Sequence, residues 1–97
     1  MKTVKWENCI KGAVGHYPPK NGKLLMPGDK VQINMQVSAK YKGLDVYLLI
    51  KEEVTPGAFK ASVMYFEPVL AEQPDDLSEG EEVLINRNDI CCLFEKE

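Results

Sequence analysis

The sequence has few of the residue types that catalytic and nucleic-acid-binding sites commonly use. Its 97 residues include a single arginine, Arg87, and a single histidine, His16. One arginine leaves little capacity for bidentate recognition of bases, which counts against sequence-specific nucleic-acid binding. No apolar run exceeds five residues, whereas a membrane-spanning helix needs about 20. We therefore expect no association with a membrane.

Cysteine is also scarce, and the first residues lack the apolar segment of a secretory signal. Three cysteines, an odd number, argue against a disulfide framework and predict reduced thiols. The expected location is therefore the cytoplasm. The chain length and a composition of 44% hydrophobic and 28% charged residues predict one globular domain, residues 1–97.

Charge is distributed unevenly along the chain, although the net charge is only −3. Residues 1–60 contain ten lysines and five acidic residues, which gives +5. Residues 61–97 contain two basic and ten acidic residues, which gives −8. Such asymmetry favours electrostatic steering of a charged partner.

The apolar pattern predicts a mainly β protein. Alternation in residues 31–37 and an apolar run in 44–50 predict two strands, and a third strand is predicted over 58–66 with Phe59, Ala61, Val63 and Tyr65 on one face. Residues 83–86 and 90–94 are predicted as two short strands or one bulged strand, whereas residues 4–10 fit either a strand or a helix. The expected fold is a five- to six-stranded antiparallel barrel or strongly bent sheet, SH3-like or OB-like, with at most a short helical turn.

Two segments 52 residues apart share a pattern of leucine, glycine, acid, valine, isoleucine and asparagine. They are residues 25–34 and residues 77–86. In each, the leucine is expected to anchor a turn, the glycine to take a backbone conformation that other residues resist, and the valine and isoleucine to begin a strand.

The same turns and strands carry a resemblance to a known family. The stretches GDKVQI, KYKG, VYLLI, FKASVMYFEPV and LSEGEEVLI, followed by Ile90, resemble a family of small bacterial domains of unknown function. Some relatives in that family are immunity proteins of toxin systems. The resemblance covers residues 28–94 and implies a binding role without catalytic residues.

Two loops are candidate partner-binding regions. The loop of residues 12–23 is long and rich in glycine and proline, and it could present His16 and Tyr17 to a partner or simply be solvated. The second loop lies within residues 67–82 and contains a dense acidic cluster, which is either a solvated face or a patch for a basic partner. From these regions and the lysine-flanked Tyr41, the candidate partner-binding residues are His16, Tyr17, Tyr41, Asp75, Asp76 and Glu79.

The adjacent cysteines, Cys91 and Cys92, are the other chemically distinctive feature. In a strand their side chains point to opposite faces, which disfavours a shared metal ion. Core packing is the favoured interpretation, and redox sensing and catalysis are the alternatives. The sequence predicts no catalytic residues, no metal site and no cofactor.

The favoured hypothesis is a non-enzymatic bacterial module that binds a protein partner in an accessory or immunity-like role. One alternative is single-stranded nucleic-acid binding on an OB-like barrel, because lysines interleave with aromatic residues. A second alternative is a thiol-based redox sensor. Self-association through an edge strand is a further expectation.

Overall fold

The computed structural model describes residues 1–8, 22–67 and 72–94. In these residues seven strands form one mixed sheet in the order β1-β6-β5-β4-β3-β7-β2. All neighbouring strands are antiparallel except β1 and β6. The strands are β1 (Lys2–Thr3), β2 (Gly22–Leu24), β3 (Gln36–Tyr41), β4 (Leu44–Thr55), β5 (Ala58–Glu67), β6 (Glu82–Asn86) and β7 (Cys92–Phe94).

The prediction of a mainly β protein is confirmed. The prediction of a five- to six-stranded barrel is wrong, because the described residues form a seven-stranded sheet that is not closed into a barrel. The extra strands are very short edge elements, β1 and β2, which the sequence pattern does not reveal. A short 3-10 turn, Arg87–Asp89, joins β6 to β7.

The sheet is strongly curled, and the N-terminal segment bridges its two sides. On a flat sheet β3 and β6 would lie roughly 14 Å apart, three spacings of about 4.8 Å. Trp6 nevertheless donates its indole N–H to Leu84 O of β6 at 3.1 Å and packs edge-on against Tyr41 of β3, with ring centroids 5.9 Å apart. The N–H of Glu7 also donates to Lys40 O at 2.8 Å. Residues 1–7 therefore connect strands that are not neighbours in the sheet.

The hairpin of β3 and β4 forms at the predicted turn. Lys42 and Gly43 both have positive φ, 49° and 79°, as the central residues of a type I′ turn require. β4 lies at the centre of the sheet, as its continuous apolar run predicts. The turn therefore fixes the register in which Tyr41 lies opposite Leu44.

The strand predicted over residues 31–37 is displaced. β3 begins only at Gln36, because Asn34 has a φ of 69° and takes part in a turn instead of a strand. The N–H of Asn34 donates to Ile50 O at 2.8 Å, and Ile33 is 50% exposed. Asparagine tolerates this left-handed conformation better than most residues do, so alternation alone misplaced the strand.

The predicted face of β5 is correct up to Val63 and wrong for Tyr65. Tyr47 pairs with Tyr65, and the next residue, Leu48, pairs with Val63, so a bulge at Met64 interrupts the register. A bulge inserts one residue and reverses the faces beyond it. Phe66 therefore faces the core and Tyr65 lies on the other face of the sheet.

One hydrophobic core fills the concave side of the curled sheet. Its members alternate along the strands, as a half-buried sheet requires. They are Trp6, Leu25, Val37, Ala39, Tyr41, Leu44, Val46, Leu48, Ile50, Phe59, Ala61, Val63, Phe66, Leu77, Val83, Ile85, Ile90 and Leu93. Leu25 and Leu77 come from turns rather than strands, so both turns are tied to the core.

Candidate functional site

The best-defined surface feature is the segment of residues 72–82, which we call the acidic loop. Within this loop, the side chain of Leu77 is fully buried in the core. The next residues form a tight turn in which Ser78 N–H donates to Glu81 Oε1 at 2.7 Å and Glu81 N–H donates to Ser78 O at 3.2 Å. Gly80 has a φ of 87°, which residues with a Cβ rarely adopt.

Backbone hydrogen bonds fix the same turn to β5. The N–H of Gly80 donates to Val63 O at 2.8 Å, and the N–H of Val63 donates to Glu81 O at 2.9 Å. Because both bonds go to a strand inside the sheet, the C-terminal half of the acidic loop has a fixed position. Its exposed side chains are therefore presented from a rigid base.

The N-terminal half of the loop is held by a hydrogen-bonded group around Asp76. The Tyr41 hydroxyl donates to Asp76 Oδ2 at 2.5 Å, and Lys42 Nζ lies 3.2 Å from Oδ1. Lys2 Nζ donates to the backbone carbonyl of Asp76. These contacts join the acidic loop to the β3–β4 turn and to β1.

The pKa shifts in this group follow from the hydrogen bonds. The Tyr41 hydroxyl, followed by Lys42, lowers the pKa of Asp76 despite some opposing desolvation. The hydrogen bond to Asp76 raises the pKa of Tyr41 and also that of Lys42. At neutral pH the group therefore consists of a carboxylate, a neutral phenol and an ammonium ion.

Further aromatic and polar contacts hold Tyr41 and its turn in place. The ring packs against Trp6, and Lys42 Nζ lies 5.4 Å from the ring centroid. The adjacent turn is fixed by Gly43 N–H, which donates to Glu7 Oε1 at 2.6 Å. Tyr41 is only 6% exposed, so its ring is part of the support for Asp76.

The acidic loop contains two kinds of carboxylate. Asp76, Glu81 and Glu82 each form an ion pair, with Lys42, Lys2 and Lys60 respectively. Glu72, Asp75 and Glu79 are exposed and make no ion pair with any residue that the structure describes. The second group is therefore available to a partner.

The structure places four of the six predicted site residues in one region. Tyr41 and Asp76 are in direct contact, and Asp75 and Glu79 lie on the same loop. His16 and Tyr17 lie outside the described residues. Sequence reasoning missed the lysines that hold Asp76, because a pairing between residues 42 and 76 leaves no local signal in the sequence.

Lysines and aromatic residues do not form one exposed groove in the described part of the chain. Trp6, Tyr41 and Tyr47 are all less than 10% exposed. The lysines that make ion pairs with carboxylates are Lys2, Lys23, Lys40, Lys42 and Lys60. Among the aromatic residues that the structure describes, Tyr65 is the most exposed, at 36%, so these residues do not form a row of exposed rings for base stacking.

A second aromatic group lies on the other face of the sheet. Tyr47 stacks on Tyr65, with ring centroids 4.5 Å apart and ring planes inclined by 11°. The ring centroid of Phe94 lies 5.4 Å from that of Tyr47. Burial, followed by the nearby charge of Asp45, raises the pKa of Tyr47 to about 12. The side-chain amide of Gln36 donates to the Tyr65 hydroxyl at 3.3 Å. This group stabilises the sheet and contains no activated nucleophile.

The cysteines differ from the prediction of three reduced thiols. Cys91 is disulfide-bonded, so that prediction is wrong. Cys92 keeps its thiol and is 3% exposed. Both side chains are buried, which agrees with the expected packing role. No group of three potential metal ligands occurs within residues 1–8, 22–67 and 72–94.

Comparisons of this chain with protein-family models, with curated proteins and with solved structures find no match. No helix among the described residues has both the length and the apolar character needed to span a membrane.

Proposed function

We propose that the protein is a non-enzymatic module that binds a basic protein partner through the acidic loop. The observation that carries the proposal is the group of exposed carboxylates on a loop that is fixed at Leu77, Asp76 and Gly80. A fixed loop loses little conformational freedom on binding, so more of the interaction energy contributes to affinity. Its negative charge accelerates association with a positive surface.

The chemistry of the Tyr41–Asp76 contact supports a binding role over catalysis. A general acid or base works best when its pKa lies near the working pH. Here the pKa of Asp76 is lowered and that of Tyr41 is raised, so both move away from neutrality. The contact serves to position the loop.

Neutralisation of the three available carboxylates tests the proposal. The test variant carries Glu72→Gln, Asp75→Asn and Glu79→Gln, and the control carries Glu52→Gln, Glu53→Gln and Glu67→Gln. Both change the net charge by the same amount, so a general charge effect is separated from an effect of the loop. We expect affinity capture from the native cell to recover a basic partner with the wild type and the control but not with the test variant.

Salt and nuclease treatments sharpen the same experiment. Association should slow as salt is raised, because exposed charges are screened over about 10 Å at 0.1 M. Recovery of the same partners by the test variant would contradict the proposal. A recovery abolished by nuclease would instead support nucleic-acid binding, for which the buried aromatics and paired lysines offer little structural support.

We also propose a cytoplasmic location and, for the immunity-like role, a bacterial toxin as the class of partner. The disulfide at Cys91 stands against the proposed location, because disulfides persist mainly in oxidising compartments. Labelling of free thiols in intact cells measures whether Cys91 is oxidised there and so tests the proposed location. The same labelling tests the thiol-sensor alternative, which requires the Cys91 disulfide to be reduced and re-formed in the cell.

A further inference from the structure

A small cavity lies beside the turn of residues 25–29. It has a volume of about 280 Å³ and is lined by Leu25, Met26, Pro27, Arg87 and Asn88. Binding cavities for drug-sized ligands are roughly 300–1,000 Å³, so this one suits a group of about the size of one amino acid. Its ligand would therefore be small or the end of a longer molecule.

One wall of the cavity is apolar and accessible. Met26 is 56% exposed, and Pro27 is exposed next to it, whereas Leu25 is 4% exposed and belongs to the core. A methionine side chain adapts to ligands of different shape because it is unbranched and polarisable. This wall favours a compact aliphatic group.

Arg87, the sole arginine of the sequence, also lines the cavity. One guanidinium nitrogen of Arg87, Nη1, donates to Asp29 O, and the other, Nη2, donates to Met26 O at 3.0 Å. A guanidinium has five N–H donors, so these two bonds leave three without an acceptor among the described residues. The backbone contacts also fix the guanidinium in place, so a ligand need not order it.

Charge at the cavity favours an anion. The Asp29 carboxylate is already engaged, since Oδ2 accepts from Met26 N–H at 2.9 Å and Oδ1 lies 3.3 Å from Lys23 Nζ. Lys23, Asp29 and Arg87 together have a formal charge of +1. Arginine binds carboxylates through paired N–H donors, and the side chain of Asn88, which also lines the cavity, can supply a further donor.

We propose that this cavity binds a carboxylate that carries a compact aliphatic group, with the carboxylate at Arg87 and the aliphatic group against Met26 and Pro27. This site is separate from the acidic loop and does not depend on the proposed function. The ligand is either a free small acid or the C-terminal residue of a peptide, because both present the same chemistry.

Titration of ¹⁵N-labelled protein with N-acetyl-leucine tests the site. We expect saturable NMR shifts of the Arg87 Nε–H and of the amides of residues 25–29, with a dissociation constant on the order of 1 mM for so small a ligand. N-acetyl-leucine amide, which lacks the carboxylate, should bind at least about tenfold more weakly. Equal binding of the two compounds would overturn the proposal.

Two substitutions of exposed methionines separate the cavity from general effects. Met26→Asp introduces a negative charge into the cavity and should weaken binding at least about tenfold. Met64→Asp adds the same charge on β5, where Met64 is 39% exposed, and should leave binding unchanged. Unchanged binding by Met26→Asp would exclude this cavity. Arg87→Gln should also abolish binding, and its amide spectrum shows whether the turn survives.

Peptides identify the source of the carboxylate. A peptide that ends in leucine is compared with the same peptide amidated at its C-terminus. If the free-acid peptide binds and the amidated peptide does not, the ligand is the C-terminus of a peptide. If N-acetyl-leucine binds and neither peptide does, the ligand is a small free acid. Both results support the carboxylate chemistry. Failure of both N-acetyl-leucine and the free-acid peptide to bind overturns it.

Discussion

The turn of residues 25–29 and the turn of residues 77–81 share one local geometry but lead into different structures. In both, the residue after leucine donates its N–H to the acid, at 2.9 Å in the first turn and 2.7 Å in the second. In both, the acid donates its own N–H back, at 3.0 and 3.2 Å. After the second turn the chain enters β6, whereas after the first it makes another turn and only then enters β3.

The difference lies in what each turn is attached to. The second turn forms two backbone hydrogen bonds with Val63 of β5, and Val83 then pairs with Ala61 in the same strand. The first turn is attached through Leu25 N–H to Cys91 O at 3.0 Å and through the guanidinium of Arg87. A similar sequence therefore gives the same turn at both places, but a strand follows only where a neighbouring strand accepts its hydrogen bonds.

The largest expected effect comes from removing the leucine anchors. Leu77→Ala and Leu25→Ala should each lower the free energy of unfolding by about 2–5 kcal/mol, because both leave a cavity in the core. Urea denaturation followed by the fluorescence of Trp6 measures both. Hydrogen exchange should accelerate at Gly80 in the first variant only. A loss below about 1 kcal/mol in either variant would contradict the view that both turns are anchored in the core.

The next effect concerns the attachment of the first turn through Cys91. Loss of the disulfide in Cys91→Ala should cost about 2–4 kcal/mol, the usual contribution of a disulfide. The matched control Cys92→Ala removes a buried thiol and should cost about 1 kcal/mol, the scale of one buried methylene-sized group. Urea denaturation with and without dithiothreitol measures both. Equal sensitivity of the wild type and Cys91→Ala to the reductant would contradict a stabilising disulfide.

A smaller effect tests whether the two turns are equivalent locally. Gly28 and Gly80 have φ of 92° and 87°, and an added Cβ would meet no atom within 4 Å at either position. Alanine should therefore cost only backbone strain, about 1–2 kcal/mol at each site. Thermal unfolding of Gly28→Ala and Gly80→Ala gives the comparison. A loss at one glycine without a loss at the other would mean that the turns differ in their own conformation and not only in their attachment.

These elements also show how far the sequence alone predicts the structure. Turns were predictable because glycine and the Lys42–Gly43 pair impose positive φ locally. The central strand β4 was predictable from its apolar run. The strand over residues 31–37 was misplaced because its alternation extends through a turn, in which Asn34 has a φ of 69° and Met35 N–H donates to Gln32 O at 3.2 Å. Pairing between distant segments has no local signature.

The candidate site was predictable to the same extent, because its local features were visible in the sequence and its long-range contacts were not. The acidic residues of the loop were visible as a cluster, and Tyr41 was visible as an aromatic among lysines. Their direct contact depends on the curl of the sheet, which brings the β3–β4 turn to a loop about 35 residues later. The disulfide at Cys91 was missed because an odd number of cysteines argued for thiols.

The smallest expected effect is on the pH dependence of stability, where Asp29 of the first turn is compared with Asp76 of the acidic loop. The hydrogen bond from Met26 N–H is the main cause that lowers the pKa of Asp29, and the Tyr41 hydroxyl is the main cause for Asp76. A carboxyl whose pKa is lower in the folded state stabilises the fold above its unfolded pKa of about 3.9. That stabilisation is lost as the pH falls through the folded value.

Asp29→Asn and Asp76→Asn should therefore be less stable than the wild type at pH 7 and nearly equal to it at about pH 2. The differences should be small, because both carboxylates are accessible to water. Urea unfolding between pH 2 and 7 measures the difference at each pH. The double variant should show the sum of the two losses, because the turns are attached to different strands. A difference that persists unchanged to pH 2 would show that the amide disturbs the turn itself, and the carboxylate charge would then not be the stabilising feature.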